Sequence, residues 1–253
     1  MDRNKVYLAT VDENAHILAR EYGLGIELSE FCTAYFMDEK FHEVEASVAE
    51  KVRCTDRLVL HAPFNELFPC AIDPQARELA RRRYRQAIAL AQRYGAKKVV
   101  IHGGYNHWIY FPVWYVEQSV PFWKAFEAEI PDGMTVCLEN VLEESSDMLI
   151  KILEAVGSPK IRMCLDIGHA HAYSKEGIMN WLTACAPWID HFHIHNNDGS
   201  WDYHRPLPEG TIPMKELLTK AQTLCPDATY TLELPEAESS LRWLLEEHLL
   251  EIG

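Results

Sequence analysis

The stretches IRMCLDIGH at residues 161–169 and IDHFHIHNN at residues 189–197 decide the fold of this chain. Each is a short apolar run that leads into ionisable residues, and a segment with helical periodicity lies between them. The alternation extends along the whole chain, in six further apolar runs: VYLATV (6–11), GIELSEF (25–31), RLVLHAP (57–63), KKVVIHGG (97–104), TVCLENV (135–141) and TYTLELP (229–235). Strands that alternate regularly with helices require right-handed crossovers and therefore predict a parallel sheet.

Eight strand–helix units fill the 253 residues, which predicts the α/β class and a single (β/α)8 TIM barrel over residues 1–253. A doubly wound open sheet is the alternative, but it would usually carry a glycine-rich phosphate loop after an early strand, and the sequence has none. The clearest helix is expected at 74–95 and the last near 236–250. Long loops at 105–115 and 196–212 should lie over the active face.

Composition limits the classes of function. The chain has 24 Lys and Arg against 38 Asp and Glu, a formal charge of −14, and 48% of its residues are hydrophobic. This excludes general disorder and argues against broad nucleic-acid binding, although a local basic cleft stays open. Seven scattered cysteines without a Cys-x-x-Cys pair predict reduced thiols. With no apolar run long enough for a signal peptide or a membrane span, we expect a cytoplasmic protein.

Ionisable residues gather where the predicted strands end, which is the catalytic edge of a parallel barrel. They are His61, His102, Glu139, Asp166, His169, His191, His193, His195, Asp202, His204 and Glu233. Carboxylates inside apolar strands would be costly if they were unpaired, and few Lys or Arg residues lie near them in the sequence. A divalent cation is the economical counter-charge, and mixed His, Asp and Glu ligands suit Zn²⁺, Mn²⁺ or Co²⁺.

Strand seven carries three histidines at alternate positions. Because side chains at i, i+2 and i+4 of a strand share one face, His191, His193 and His195 should point the same way, with Phe192 and Ile194 turned to the helices. One or two of the three histidines would be enough to bind metal. The others could orient ligands or contact substrate.

These phrases resemble the xylose-isomerase-like TIM-barrel superfamily, which includes sugar isomerases and epimerases and the endonuclease IV enzymes. The resemblance covers about 57–235 and rests on an ordered series: HAPF (61–64), VVIHGG (99–104), LEN (138–140), LDIGHA (165–170), HIHNNDG (193–199), DYHRPLPEG (202–210) and LEL (232–234). Each phrase alone is weak, but the ordered series is specific.

The resemblance implies a metal site. Sugar epimerases of this kind hold one metal with residues that correspond to Glu139, Asp166, His193 and Glu233, and the two glutamates exchange a substrate proton. Endonuclease IV enzymes bind three zinc ions, and their additional ligands correspond to His61, His102, His169, Asp202 and His204. For strand seven the resemblance favours His193 over His195 as the ligand. One to three zinc or manganese ions are expected.

The sequence also departs from the endonuclease IV pattern. The loop after HAPF reads NELFPCAIDP, and the loop after HGG reads YNHWIYFPVWYV, so neither is basic. Arg81, Arg82, Arg83 and Arg85 cluster on a helix, where a solvated outer face explains them. Aromatic residues of the second loop, with Trp108 as our candidate, could stack on a sugar, form a lid or mediate oligomer contacts.

Three functional hypotheses follow. From the sequence we favour a metal-dependent isomerase or epimerase acting on a small sugar or sugar derivative, with Glu139 and Glu233 as base and acid and with His195, His169 and Trp108 contacting the substrate. Because no phosphate clamp is obvious, a neutral sugar is favoured over a phosphorylated one. The alternative is an endonuclease IV-like zinc phosphoesterase with Glu139 as base. A non-catalytic barrel is the third. The acidic composition argues against nucleic acid as a partner, and the sequence leaves a homo-oligomer open.

Overall fold

The eight predicted strands form one closed parallel barrel in the computed structural model, which describes residues 1–251. In chain order the strands are β1 Val6–Ala9, β2 Gly25–Leu28, β3 Leu58–His61, β4 Lys98–His102, β5 Thr135–Glu139, β6 Ile161–Asp166, β7 Ile189–Ile194 and β8 Thr229–Leu232. Each pairs with its sequence neighbours, and β1 pairs with β8 to close the ring. The prediction of a (β/α)8 TIM barrel is confirmed.

Helices connect the strands around the outside of the barrel. They are α1 Ala15–Tyr22, α2 Ala34–Asp38, α3 Phe41–Lys51, α4 Pro74–Tyr94, α5 Pro112–Phe126, α6 Asp147–Val156, α7 Ile167–Tyr173, α8 Ile178–Cys185, α9 Met214–Leu224 and α10 Glu238–Glu246. Helix α4 begins as expected, because the Asp73 carboxylate accepts a hydrogen bond from the Gln75 amide, and it ends at Gly95 in the left-handed conformation.

Two expected boundaries were wrong. The last helix is shorter than 236–250, because its chain reverses at His248, which has a positive φ of 57°, and then returns so that Glu251 bridges Asp2. The loop expected at 105–115 is also shorter, because α5 begins at Pro112, and proline favours the first turn of a helix.

The strands separate an outer apolar core from a partly polar lumen. Phe192 of β7 faces outward and stacks on Tyr230 of β8 with ring centroids 5.0 Å apart. On the lumen side, Val59, Val100, Cys137 and Cys164 form a small separate apolar cluster. The alternation predicted for strand seven is thus confirmed. The inward positions that follow this cluster along the strands carry the ionisable residues.

Within residues 1–251, none of the helices has the length and apolar character needed to cross a membrane.

Candidate metal centre

The nine candidate ligands predicted from the sequence come together at the carboxyl end of the barrel. Register brings neighbouring candidates side by side, since His102 pairs with Glu139 and Asp166 pairs with His193 on the adjacent strands. Glu139, Asp166 and His193 are at most 1% exposed. A closed ring of parallel strands ends all its strands on one face, which is why residues far apart in sequence meet here.

The central group surrounds one nitrogen of His193. Its Nδ1 lies 3.3 Å from Glu139 Oε1, 3.2 Å from Glu233 Oε2 and 3.8 Å from Asp166 Oδ2. Three carboxylates from three strands or strand ends therefore converge on one imidazole nitrogen. This is the set of four residues that the epimerase resemblance indicated.

A second group lies on one side of the central group. His61 Nε2 is 3.3 Å and His102 Nε2 is 3.5 Å from the same atom, Oε2 of Glu139. The ring of His102 stacks on Phe64 with centroids 4.3 Å apart, which fixes its plane. Glu139 thus presents one oxygen to each group and joins them.

A third group lies on the other side. His169 Nε2 is 3.2 Å and His204 Nε2 is 2.8 Å from Asp202 Oδ2. His204 adopts a positive φ of 46°, and its Nδ1 donates to the Glu233 carbonyl at 2.7 Å. The loop after β7 therefore delivers Asp202 and His204 as a unit, tied to the end of β8.

The other two substrate-contact candidates occupy different positions. His195 lies between the central and third groups, with Nε2 3.1 Å from Asp166 Oδ1 and its ring 3.9 Å from that of His204. Trp108 lies outside the buried cluster: its side chain is 77% exposed, and its ring packs against His107 at 3.9 Å. For strand seven the geometry favours His193 as a ligand, because it meets three carboxylates of the cluster.

The donor set fits divalent cations. Several buried polar atoms of the cluster have no hydrogen-bond partner among the described residues: both oxygens of Glu139, Nδ1 of His193, Nδ1 of His195 and Oδ1 of Asp202. Leaving buried polar atoms unpaired costs about 1–3 kcal/mol each, so such a concentration calls for a counter-charge. Imidazole and carboxylate donors in groups of three or four are the ligands that Zn²⁺ takes in proteins.

Electrostatics also favour a cation. Burial would raise the pKa of Glu139, but the charges of His193 and His102 outweigh this and hold that pKa well below its usual range. Burial would lower the pKa of His169, yet the charge of Asp166 and the hydrogen bond to Asp202 hold it well above its usual range. Its carboxylates therefore favour a proton on His169, and a bound cation would displace that proton.

Hydrogen bonds behind the histidines fix their orientation. Nδ1 donates to a backbone carbonyl in His61 (Ala62 O, 2.9 Å), in His169 (Asn140 O, 3.0 Å) and in His204. In each neutral ring, Nε2 then keeps its lone pair and faces the cluster. This arrangement is typical of histidines that hold a metal.

Sequence reasoning missed Glu27, on β2. Its carboxylate is 1% exposed and lies 3.0 Å from His193 Nε2 and 3.1 Å from His191 Nε2. The signal was present, because a carboxylate inside the apolar run GIELSEF has the same pattern as Glu139 in TVCLENV. It went unused because Glu27 precedes the region of the family resemblance.

The closed barrel and a match to a protein-family profile together establish the class of this protein. The profile for the xylose isomerase-like TIM barrel matches residues 16–247. The chain belongs to this family.

Particular relatives are consistent with that assignment. The uncharacterized protein MJ1311 of Methanocaldococcus jannaschii is 29% identical over 188 residues, which are 70% of this chain and 64% of that protein, so the match spans less than two thirds of the relative. The TTHB071 protein of Thermus thermophilus, soaked with ZnCl₂, is 27% identical with a TM-score of 0.77, covering 96% of this chain and 97% of that one. A D-tagatose 3-epimerase-like protein is 22% identical with a TM-score of 0.79 and covers 97% of both chains.

Proposed function

We propose that this protein is a metal-dependent enzyme that holds up to three divalent cations, zinc or manganese, at the barrel mouth. The observation that carries the proposal is the division of nine side chains into three adjoining groups, two of them joined through the oxygens of Glu139. The zinc-soaked relative from Thermus thermophilus supports zinc as one of the metals.

Each cation position has its own ligands. His61, His102 and Glu139 would hold the first cation. Glu139, Asp166, His193 and Glu233 would hold the second. His169, Asp202 and His204 would hold the third.

The reaction that this arrangement supports best is hydrolysis of a phosphoester. A one-metal isomerase needs only the central group and leaves His61, His102 and His204 without a chemical role, whereas a three-metal hydrolase uses all nine residues. Bound cations would activate water and neutralise the charge of a phosphoryl group. Glu139, which reaches both the first and the second cation position, would accept a proton from the attacking water. Because the flanking groups have a role only in the hydrolase, we place the hydrolase ahead of the isomerase that the sequence favoured.

The substrate is proposed to be a small molecule. Two basic residues of the loops at the mouth already have acidic partners, Arg205 with Asp198 at 2.8 Å and Lys175 with Glu144. A polyanion such as DNA would need unpaired basic residues along its path. The cations themselves would bind a phosphate, which explains how a phosphorylated substrate could be held without an arginine clamp.

A metal-dependent isomerase or epimerase acting on a small sugar is the second candidate. The observation that favours it is the approach of Glu139 and Glu233, from β5 and from the end of β8, to within 3.3 and 3.2 Å of the same His193 nitrogen. Two carboxylates that face one point could remove and return a proton on a substrate carbon. The fold shared with the D-tagatose 3-epimerase-like protein is compatible with this reaction.

One set of measurements separates the two candidates. We expect elemental analysis of the zinc-loaded protein to give close to three metal ions per chain, and bis(p-nitrophenyl) phosphate or p-nitrophenyl phosphate to be hydrolysed. Proton exchange with deuterated water on a panel of ketoses, followed by NMR, tests the isomerase. One metal per chain with ketose exchange and no phosphoester hydrolysis would establish the second candidate instead.

Variants sharpen this comparison. His61→Ala removes a ligand of the first group only, so it should abolish a three-metal hydrolase but leave a one-metal isomerase active. His42→Ala is the matched control, because the His42 side chain is 98% exposed and lies away from the cluster on α3. Unchanged hydrolysis in His61→Ala would contradict the three-metal assignment.

A further inference from the structure

A continuous line of polar side chains runs through the barrel lumen beneath the metal centre. It begins at Lys98 of β4 and passes through Thr229 and His191 to Glu27 and then His193. His191 and Thr231, which also binds Glu27, are both 0% exposed. TIM-barrel interiors are usually filled by branched apolar residues, as Val59 and Val100 do here, so packing alone does not account for this line.

The direction of the hydrogen bonds is fixed at the lysine end. The Lys98 ammonium can only donate, and its three acceptors are Thr229 Oγ1 at 2.6 Å, the Asp190 carbonyl at 2.7 Å and Asp190 Oδ2 at 2.7 Å. The hydroxyl proton of Thr229 has two acceptors in reach, the Asp190 carbonyl at 3.4 Å and His191 Nδ1 at 2.6 Å, and the short contact is the one to His191. A neutral His191 therefore carries its proton on Nε2.

The next steps transmit this direction to the metal centre. His191 Nε2 faces both Thr231 Oγ1 at 2.9 Å and Glu27 Oε2 at 3.1 Å, and Thr231 donates to the same Glu27 oxygen at 2.5 Å. The second oxygen of Glu27 is left to face His193 Nε2 at 3.0 Å. Because an ionised carboxylate only accepts, the proton of His193 must lie on Nε2.

We propose that Glu27 is a positioning residue that keeps the proton of His193 on Nε2 and thereby presents the Nδ1 lone pair to a cation. This inference rests on the metal binding proposed above. His193 differs in this respect from His61, His169 and His204. Backbone carbonyls orient those three histidines, which would bind a cation through Nε2 instead. At His193 the orienting group is a side chain, and a substitution can remove it.

The substitution Glu27→Gln tests the proposal with little change of shape. The amide NH2 group of glutamine is a donor, and in either orientation it would face another donor: His193 Nε2–H on one side, or His191 and Thr231 on the other. His193 is then no longer held in a single tautomer. Glu143→Gln is the matched control: Glu143 is also a buried glutamate, 2% exposed, but it accepts from Tyr115 and from the Val141 amide and does not contact His193.

The primary measurement is zinc affinity, determined by competition with a chromophoric chelator. We expect Glu27→Gln to weaken one zinc ion of the set by about 10–100-fold, the usual cost of losing a partner behind a ligating histidine. The remaining ions and the Glu143→Gln protein should keep wild-type affinity. Equal affinities in Glu27→Gln and wild type would overturn the inference but leave the proposed function standing. If the wild type binds no zinc, the proposed function fails and this inference fails with it.

A second measurement keeps the inference testable if Glu27→Gln does not fold. Long-range proton–nitrogen NMR spectra of the zinc-loaded wild type, labelled with ¹⁵N-histidine, report which ring nitrogen carries the proton. The signals of His193 are assigned by their loss in His193→Gln. We expect a protonated Nε2 and a metal-bound Nδ1 at His193. A protonated Nδ1 at His193 would overturn the proposal.

Discussion

At the scale of single residues, the proposed metal centre depends on which nitrogen each imidazole turns toward the carboxylates. Backbone carbonyls accept from Nδ1 of His61, His169 and His204, whereas at His193 the Glu27 carboxylate faces Nε2, and we propose that it sets the orientation there. The sequence predicted that these histidines would gather. It could not predict their orientation, because the partners behind them are set by the folded backbone and, for His193, by a side chain from another strand.

Gly168 shows how tightly one of these rings is packed. A Cβ on Gly168 would overlap the imidazole of His195, which is fully buried and cannot move aside. We expect Gly168→Ala to lower the free energy of unfolding by about 1–3 kcal/mol, the usual cost of overpacking a core, measured by urea denaturation. It should also reduce zinc content, because the ring of His195 packs on that of His204.

Gly177→Ala is the control for that substitution. Gly177 has a φ of −70°, and a Cβ there would meet no atom within 4 Å. We expect its free energy of unfolding to stay within about 0.5 kcal/mol of wild type. If Gly168→Ala is as stable as Gly177→Ala, the ring of His195 can move away from the added methyl group despite its burial, and this prediction is wrong.

At the scale of elements, the sequence predicted the number, type and order of the strands and the limits of α4. The strands predicted from the sequence extend too far at their carboxyl ends. In the structure β6 ends at Asp166 and β7 at Ile194, whereas the predicted strands continue to 169 and 197. The pattern continues because the residues after each strand are still buried around the cluster. Burial creates the apolar signal, but only hydrogen-bonded pairing defines a strand.

Helix α4 offers a test of local stability that is separate from the site. The Asp73 side chain accepts the Gln75 amide at 2.7 Å, which satisfies one of the free donors at the start of the helix. We expect Asp73→Ala to lower the free energy of unfolding by about 1 kcal/mol in chemical denaturation. Metal content should be unchanged, since α4 carries none of the candidate ligands.

The matched control is Asp56→Ala, which removes an exposed aspartate that lies outside the helices and strands. It should leave the free energy of unfolding within about 0.5 kcal/mol of wild type. Loss of metal in Asp73→Ala would contradict the separation between this helix and the site.

At the scale of the whole molecule, barrel closure concentrates acids and histidines in one place, and metal and protons should compete there. Burial would lower the pKa of His204, but its hydrogen bond to Asp202 and the charge of Glu233 raise it from 6.5 to about 9. A raised histidine pKa contributes stability that is complete below the unfolded value and is lost as the pH rises through the folded value. The metal-free protein should therefore lose stability between pH 6.5 and 9.

A cation that replaces these protons removes this dependence and stabilises the folded state by mass action. We expect the difference in Tm between zinc-loaded and chelator-treated protein, measured by calorimetry, to widen from pH 6.5 to pH 9. His204→Gln is the control, because the metal-free variant should show a flatter pH dependence than metal-free wild type. A Tm difference that is constant over this range would contradict the competition.

The sequence by itself determined the barrel and the grouping of the candidate ligands at its carboxyl end. Strand–helix alternation is a local property, and the carboxyl ends of parallel strands must share one face, so His61, Glu139 and Glu233 could be grouped without coordinates. Only the tertiary structure decided that Glu139 joins two groups and that Glu27 stands behind His193. Glu27 and His193 are 166 residues apart, on β2 and β7, which are not neighbours in the ring. Contacts between side chains inside the barrel depend on how the ring of strands closes and on the register of the strands. No local sequence pattern predicts them.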